Sequence, residues 1–418
     1  MIFPDFSLAY YSGNRVTGKM NVLIHQDGEN RVIELPAAPA TGGEQAYKPI
    51  MVGLDEQYRA VLLDPKTKAI SFSETFPEDT FPAHVYSDPG STRDWLMNDG
   101  DKATGNDTLN CGDRGSSVTV IEDSNTSSAR YLATICVGRG HHQANFSYPS
   151  EQAPQVPYRA YISNLKDGTI SVIGNDPQDS DTYLKVVATI DLCEPDKESD
   201  LGDKTVPNNS FPHGLTYSPA TGKIYNLNNG YGDIVVIDPI SNEIEQRVPF
   251  KGHTNLFSTP DGRFLIGRGA DRKSDPDHIV ACLTAMDTQT MQVTDTLHLS
   301  DRYISKYYFN ADGSKLYLTT SGSSKGTDTQ QANLQTRNLI VIDLSRLPDL
   351  VLDKEVTLGC SSGSLDFLNE GNQTRYIFSS NSEQGVVAVL NGQSEAVVDE
   401  IPMNAPNKHS RCWLLSNS

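Results

Sequence analysis

Residues Arg159–Asn175 read RAYISNLKDGTISVIGN, and Tyr183–Leu192 read YLKVVATIDL; these two segments decide the fold. Apolar, β-branched and aromatic residues alternate with polar ones, and a Lys-Asp-Gly turn separates the first two runs. The pattern predicts consecutive antiparallel strands joined by tight turns, because strand side chains point alternately to opposite faces. Almost nothing in the chain has the period of an amphipathic helix.

This pattern recurs along the chain, and internal repeats of this length indicate stacked or radial architectures. The clearest copies are Lys223–Phe250, Lys315–Leu358, Tyr376–Met403 and Leu8–Leu35. Each copy ends in a closing strand, and eight of these are found: Arg31–Leu35, Ala69–Phe76, Tyr131–Val137, Leu184–Leu192, Glu243–Phe250, Met291–Leu299, Leu352–Leu358 and Glu395–Met403. The sequence therefore predicts an all-β fold, a β-propeller of seven or eight four-stranded blades, with eight favoured. Seven blades remain the alternative because the segment Pro49–Phe76 is short and could lack a strand.

The two chain ends carry complementary parts of one blade. The chain finishes on an opening strand, Arg411–Leu415, whereas its start supplies the remaining strands of the same repeat. Sharing one blade between the ends closes the ring and removes a free sheet edge. We predict one propeller domain over residues 1–418, with a long polar insertion between strands at 98–115.

The segments in Arg159–Leu192 resemble the YVTN-type propeller repeat, and the rest of the chain carries weaker copies. The resemblance implies the fold but not one function, because the same scaffold hosts sugar lactonases, surface-layer proteins and metal-dependent oxidoreductases.

Composition excludes several partners. The formal net charge of -19 argues against nucleic-acid or anionic-membrane partners, which require a basic surface. No stretch approaches eighteen apolar residues, so no membrane span is predicted. The start, MIFPDFSLAYY, shows no secretory signal, so the chain is cytoplasmic or begins after a removed leader; we expect a periplasmic or secreted protein. Six cysteines without a CxxC pair leave the redox compartment open.

Histidines concentrate at one point of the repeat. Four residues before the aromatic of an opening strand stand His142, His213, His253 and His409, and Ser305 and Gly363 hold this position in two other blades. His84 lies two residues before Tyr86, and His141 precedes His142. Nine histidines in 418 residues would place well under one in such a column by chance. His25, His278 and His298 lie in turns or strand bodies, and we expect them to be structural or exposed.

Opening strands line the channel of a propeller, so the residues just before them form a ring at its rim. Converging imidazoles suit a transition metal, because neutral nitrogen donors favour copper, zinc, iron and nickel. The six candidate ligands are His84, His141, His142, His213, His253 and His409. The structural alternative is that each ring only hydrogen-bonds the backbone of a neighbouring blade.

The arrangement resembles nitrous-oxide reductase and thiocyanate dehydrogenase, propellers whose rim histidines, including an adjacent pair, hold a copper cluster. Gly138–Gln143 (GRGHHQ) would supply the pair, and Gly252–Lys273 resembles their blades with His followed by Ser, Pro, Asp and Gly. The chain departs from this group because no electron-entry domain follows the propeller, and Ser305 and Gly363 leave two blades without a ligand. The resemblance therefore implies copper, with a smaller cluster expected.

Weaker candidates surround the column. In the 98–115 insertion, Asp99 and Asp101 begin like a calcium loop, but Ala103 breaks the ligand spacing. Cys136 and Cys360 precede opening strands, and buried structural thiols are the commoner case for such cysteines. Lys306 and Asp366 lie beside the column, and we predict that they bond a substrate or support a metal ligand.

Three functions follow from the sequence. The first is a copper-dependent oxidoreductase acting on a small-molecule substrate at an open rim site; its redox partner is not defined by the sequence. The second is a non-redox lactonase or lyase in which one metal or histidine serves as acid or base. The third is a non-catalytic propeller that presents its loops to a protein or glycan.

Overall fold

The computed structural model describes residues 7–14, 20–26, 29–35, 38–39, 50–54, 59–63, 70–75, 82–89, 91–98, 111, 116–122, 130–140, 143–193, 209–381, 383–403 and 407–415. Before residue 84 and over 407–415, mainly the backbone is described. Regular structure in these ranges is almost entirely β-strand, with one helix, α1 (Asp328–Asn333), and a 3-10 turn at Leu344–Arg346. The predicted all-β class is confirmed.

The strands of the described residues form eight four-stranded antiparallel sheets. Sheet 1 combines both chain ends: β1 (Ser7–Asn14), β2 (Met20–Gln26), β3 (Glu29–Leu35) and β32 (Asn407–Leu415). Sheet 2 contains β4 (Ala38–Pro39), β5 (Ile50–Leu54), β6 (Arg59–Leu63) and β7 (Ile70–Thr75). Sheet 3 contains β8 (Pro82–Ser87), β9 (Arg93–Asn98), β10 (Ser116–Glu122) and β11 (Arg130–Val137). Sheet 4 contains β12 (Ala144–Ser147), β13 (Arg159–Asn164), β14 (Thr169–Gly174) and β15 (Val186–Asp191).

The remaining sheets follow the same order along the chain. Sheet 5 contains β16 (Pro212–Ser218), β17 (Lys223–Asn228), β18 (Asp233–Asp238) and β19 (Glu243–Pro249). Sheet 6 contains β20 (His253–Ser258), β21 (Phe264–Asp271), β22 (Val280–Asp287) and β23 (Val293–Ser300). Sheet 7 contains β24 (Ile304–Phe309), β25 (Lys315–Thr320), β26 (Asn338–Asp343) and β27 (Val351–Thr357). Sheet 8 contains β28 (Ser362–Glu370), β29 (Gln373–Asn381), β30 (Val386–Asn391) and β31 (Val397–Pro402).

Closure joins the two ends of the chain, as the sequence predicts. Strand β32 pairs with β1, and their register places Ser7 opposite Leu415. The Asn21 side-chain amide donates to the Met403 carbonyl at 2.9 Å, which ties sheet 1 to sheet 8. The short segment before Phe76 contains a complete sheet, because the two-residue strand β4 supplies its first strand.

Apolar side chains fill the spaces between successive sheets, because each sheet packs on a neighbour through both faces. The second and third strands of each repeat carry this core, and β17 and β18 are almost wholly buried. Tyr161 and Ile170 of sheet 4 pack with Leu215 and Tyr217 of sheet 5. The buried side chains on each face of a sheet therefore show which neighbouring sheet that face packs against.

One end of the sheets carries the longer loops. The opening strands begin at this end, which we call the site face, and second and third strands are joined there. A disulfide between Cys111 and Cys136 ties the 98–115 insertion to the end of β11 on this face. The expectation that Cys136 is a structural thiol was therefore wrong. No helix in the described ranges is long and apolar enough to cross a membrane.

Candidate functional site

Opening strands are sheet edges, so part of their backbone must find partners outside their own sheet. At the site face, side chains of the preceding sheet provide them. The Gln143 amide both donates to the Leu215 carbonyl and accepts from its N–H, each at 3.2 Å. Two residues along, the Asn145 side chain accepts from the Tyr217 N–H at 3.0 Å. Neighbouring opening strands are thus held in a fixed relation near the rim.

His213 takes part in the same kind of contact between sheets 5 and 6. Its Nδ1 lies 2.9 Å from the Thr254 carbonyl oxygen, and the Asn229 amide donates to that oxygen at 3.3 Å. Because a carbonyl only accepts hydrogen bonds, Nδ1 carries the proton and Nε2 of the neutral ring carries the lone pair. Burial lowers the pKa of His213, and the positive charge of Arg268 lowers it further. At neutral pH the ring is therefore a base or a metal ligand through Nε2.

Arg268 places a fixed positive charge near this histidine. One of its terminal nitrogens donates to the carbonyls of Ile304 and Ser305, each at 2.6 Å. Sheet 6 is therefore tied to the start of the opening strand of sheet 7. Sequence analysis missed Arg268, Asn229 and the Thr254 carbonyl, because contacts between repeats leave no local motif.

The strand register places His253 differently from the sequence alignment. His253 lies opposite Gly269, and Pro212 holds the equivalent place in sheet 5, opposite Asn228. Thr254, not His253, is therefore equivalent to His213. The alignment matched Phe257 with Tyr217, but their side chains face opposite ways. Phe257 packs with the core of sheet 7, the following sheet, whereas Tyr217 packs with sheet 4, the preceding one.

The imidazole of His253 lies over its own sheet. It stacks on Phe250 with ring centroids 4.0 Å apart, and its Nε2 is 2.9 Å from the Thr284 hydroxyl on β22. Gly267 makes this possible, because a Cβ there would lie 2.2 Å from the Phe250 ring and 2.8 Å from His253. Burial lowers the pKa of His253 to about 4.

His253 performs a task that asparagines perform in two other sheets. Asn98 ends β9 and donates to the hydroxyls of Ser117 and Thr119 on the third strand. Asn164 ends β13 and bonds the equivalent pair, Thr169 and Ser171. In sheet 6 the residue at this position is Gly269, which has no side chain. The His253 imidazole reaches across β21 to Thr284 instead. His253 thus bonds a hydroxyl of its own sheet. His213, which bonds the Thr254 carbonyl of the next sheet, is the one that makes the backbone contact with a neighbouring blade that the sequence left open as the structural alternative.

The other predicted ligands occupy related positions. In sheet 3, Pro82 pairs with Asn98 and Val85 with Leu96. His84 therefore lies one residue after the position that is equivalent to His213. Its ring centroid lies 6.2 Å from that of Tyr86. The backbone around His409 is irregular, with a register shift between Ser410 and Lys408; its side chain lies outside the described residues.

The histidine pair His141 and His142 lies outside the described residues, but the chain on both sides is firmly held. Before the pair, Arg139 bonds both carboxylate oxygens of Asp167 at 2.7 Å through its backbone N–H and its Nε. After it, the Gln143 carbonyl accepts from the Ser163 N–H at 2.9 Å. Both anchors belong to sheet 4.

The weaker candidates are dispersed. Lys306 lies on β24 opposite Thr319 and is half-buried. Asp366 lies on β28, where its carboxylate accepts from the Phe367 N–H at 2.9 Å. Cys360 is buried, and burial raises its thiol pKa to about 11. The segment that begins like a calcium loop lies outside the described residues: Asp99, Asp101 and Ala103.

In the rotamers that the structure shows, no three His, Cys, Asp or Glu side chains among the described residues come together closely enough to hold one metal ion. The structure instead brings together His213, the Thr254 carbonyl and the charge of Arg268. This arrangement is the candidate site. It has one oriented basic nitrogen beside a buried positive charge.

The fold and its rim define a β-propeller protein. No family model and no curated protein matches the chain. Solved propellers do: AztD from Citrobacter koseri is 12% identical with a TM-score of 0.59, covering 99% of each chain. The Pseudomonas aeruginosa periplasmic gluconolactonase PpgL is 12% identical with a TM-score of 0.55, covering 98% of this chain and 100% of its own. Dihydro-heme d1 dehydrogenase NirN, in complex with DHE, is 11% identical with a TM-score of 0.60, covering 98% and 76%. These similarities establish the fold alone.

Proposed function

We propose that this chain is a non-redox propeller enzyme that hydrolyses a small lactone-type substrate at the site face, with His213 as general base. The observation that carries the proposal is the proton on His213 Nδ1, fixed by the Thr254 carbonyl, which leaves the lone pair on Nε2. Two gluconolactonase-type propellers among the structural neighbours, the P. aeruginosa protein and a 6-phosphogluconolactonase-like protein from Bacteroides uniformis, support the substrate class.

The proposed step uses only groups at the rim and water. His213 Nε2 takes a proton from water as its oxygen attacks the lactone carbonyl, and the ring C–O bond then breaks as the imidazolium returns that proton to the leaving oxygen. The charge of Arg268 favours the negative charge that develops beside the ring. Because the pKa of His213 is lowered, the base stays neutral at pH values where an ordinary histidine is protonated.

The test measures hydrolysis of a panel of sugar lactones, with and without a 6-phosphate, by proton release. The variant His213→Ala should lower kcat/KM by about 10²–10⁴-fold, the usual contribution of a general base. His278→Ala is the matched control, because His278 bonds the Asp301 carboxylate and takes no part in the contact between His213 and the Thr254 carbonyl. Hydrolysis by His213→Ala at the wild-type rate would overturn the proposal, as would the absence of hydrolysis across the panel.

Copper held by rim histidines is the second candidate, and the same contact favours it. A metal-bound histidine usually donates its other N–H to a carbonyl or carboxylate, as His213 does to Thr254. His213 therefore fits a ligand of a rim copper ion, whereas His253 is turned onto Thr284 of its own sheet and is not oriented toward a site shared with His213. Copper would supply redox chemistry for a small-molecule substrate. Stoichiometric copper in protein purified without added metal, lost on replacing His142 and His213 by Ala, would favour this candidate over the hydrolase.

A further inference from the structure

A row of three metal-ligating side chains crosses sheet 6. His253 pairs with Gly269, Gly269 with Cys282, and Cys282 with His298. Residues directly opposite each other in antiparallel strands project from the same face. His253, Cys282 and His298 therefore project from one face of sheet 6, with a glycine as the gap in the row.

The first two side chains of this row already meet. Cys282 Sγ lies 3.9 Å from His253 Nε2, and Gly269 between the two residues carries no side chain because the Gly252 carbonyl oxygen occupies that space. The Thr284 hydroxyl lies 2.9 Å from the same nitrogen and 3.6 Å from the sulfur. Ligands at metal–ligand lengths of about 2.0–2.3 Å around a tetrahedral ion are about 3.3–3.8 Å apart. The separation between Cys282 Sγ and His253 Nε2 is close to this range, whereas the shorter contact with Thr284 is a hydrogen bond that metal binding would break.

The third ligating residue is next to these two. His298 is exposed on the outer strand β23, directly opposite Cys282, where cross-strand Cβ atoms lie about 5 Å apart. As an exposed side chain it changes rotamer readily. Turning toward Cys282, it would replace the weakly ligating Thr284 hydroxyl.

We propose that His253, Cys282 and His298 bind one thiophilic transition-metal ion, zinc or cuprous copper, on the face of sheet 6. One thiolate and two imidazoles form a donor set that these ions prefer over calcium or magnesium. Binding releases the thiol proton to solvent and leaves a fourth position for water. The site differs from the rim in location and ligands, and it does not depend on the proposed hydrolase activity.

The structure also sets an expected strength. When Nε2 binds a metal, the ring proton must reside on Nδ1, which is buried without a hydrogen-bond partner among the described residues. Metal-ligating histidines normally have such a partner, and its loss costs about 10–100-fold in affinity. We therefore expect a site weaker than structural zinc sites and readily emptied by chelators.

Cobalt(II) titration tests the proposal, because Co²⁺ replaces zinc and reports a bound thiolate through a near-ultraviolet charge-transfer band. The chelator-treated full chain should develop this band at one equivalent. Cys282→Ser should abolish it, and His298→Ala, an exposed change that leaves the core intact, should weaken binding by at least about 10-fold. Cys193→Ser, which removes another half-buried cysteine thiol, should leave the titration unchanged.

Three results would overturn the proposal: no band in the wild type, a band that survives Cys282→Ser, or binding that is unaffected by His298→Ala. His213→Ala separates this site from the rim. That variant should lose hydrolysis and keep the cobalt band, so either proposal can fail without the other.

Discussion

His253 should make the stability of this protein depend on pH. Burial lowers the pKa of His253 from 6.5 to about 4 in the folded protein, while in the unfolded chain the residue titrates near its ordinary value. The unfolded state therefore binds more protons at acidic pH. As pH falls from above 6.5 toward 4, folding stability is lost.

The magnitude follows from the two pKa values. One pKa unit corresponds to about 1.4 kcal/mol, so the full effect is about 3 kcal/mol, of which about 2 kcal/mol falls between pH 7 and pH 5. The structural reason is the setting of the ring, which is stacked on Phe250 and has a buried Nδ1 without a hydrogen-bond partner among the described residues. Burial disfavours the charged ring, and the backbone of Phe250 and Lys251 offsets this only in part.

The experiment compares urea unfolding of the wild type and His253→Gln at pH 7 and pH 5, with chelator present so that metal binding does not contribute. Glutamine still reaches Thr284 but does not titrate. The wild type should lose about 2 kcal/mol more than the variant on acidification. His298→Gln, which removes an exposed histidine of the same sheet, is the control and should lose as much as the wild type. Equal losses in the wild type and His253→Gln would refute the argument.

Two further predictions concern packing and buried charge. Gly267→Ala should destabilise the protein by about 1–3 kcal/mol, because its Cβ would overlap the Phe250 ring, whereas Gly322→Ala, with open space around its Cβ, should be near neutral by the same urea assay. Glu395 is fully buried between sheets 7 and 8 and is bonded by two lysines and Tyr317. Glu395→Ala should cost about 1–3 kcal/mol in thermal or urea unfolding, because the Tyr317 hydroxyl loses its acceptor, whereas Lys315 keeps Asp353 and Lys354 keeps the Ser394 carbonyl. A loss below about 0.5 kcal/mol would show that water replaces the carboxylate.

The repeat made the architecture predictable. Alternation, turn residues and the Ile-Asp ends of the third strands recur, so the eight predicted closing strands coincide closely with β3, β7, β11, β15, β19, β23, β27 and β31. Closure of the ring was also predictable, because pairing the opening strand at one chain end with the strands at the other end removes a free sheet edge. The strand formed by Ala38 and Pro39 was not predictable, because a two-residue strand has no periodicity.

The directions of side chains at the rim were harder to predict, because bulges interrupt the alternation of strand side chains between the two faces. Both β16 and β20 contain a register shift at their start, and such a shift changes which neighbour each following side chain faces. Aligning Phe257 with Tyr217 by sequence therefore moved His253 by one residue. The disulfide of Cys136 escaped prediction for another reason: its partner lies in a long insertion whose path no local pattern specifies.

The three candidate ligands with described side chains illustrate what a column of one residue type can and cannot indicate. His253, His213 and His84 occupy three successive places of the same irregular strand start, relative to the second strand of each sheet. A shared neighbourhood therefore does not give them a shared direction. His253 replaces a structural asparagine, and His213 bonds the next sheet and orients a basic nitrogen. Both proposed functions use that one oriented nitrogen and the charge beside it. His213→Ala should therefore be assayed for hydrolysis and for bound copper, and the property that the wild type has and the variant loses decides between them.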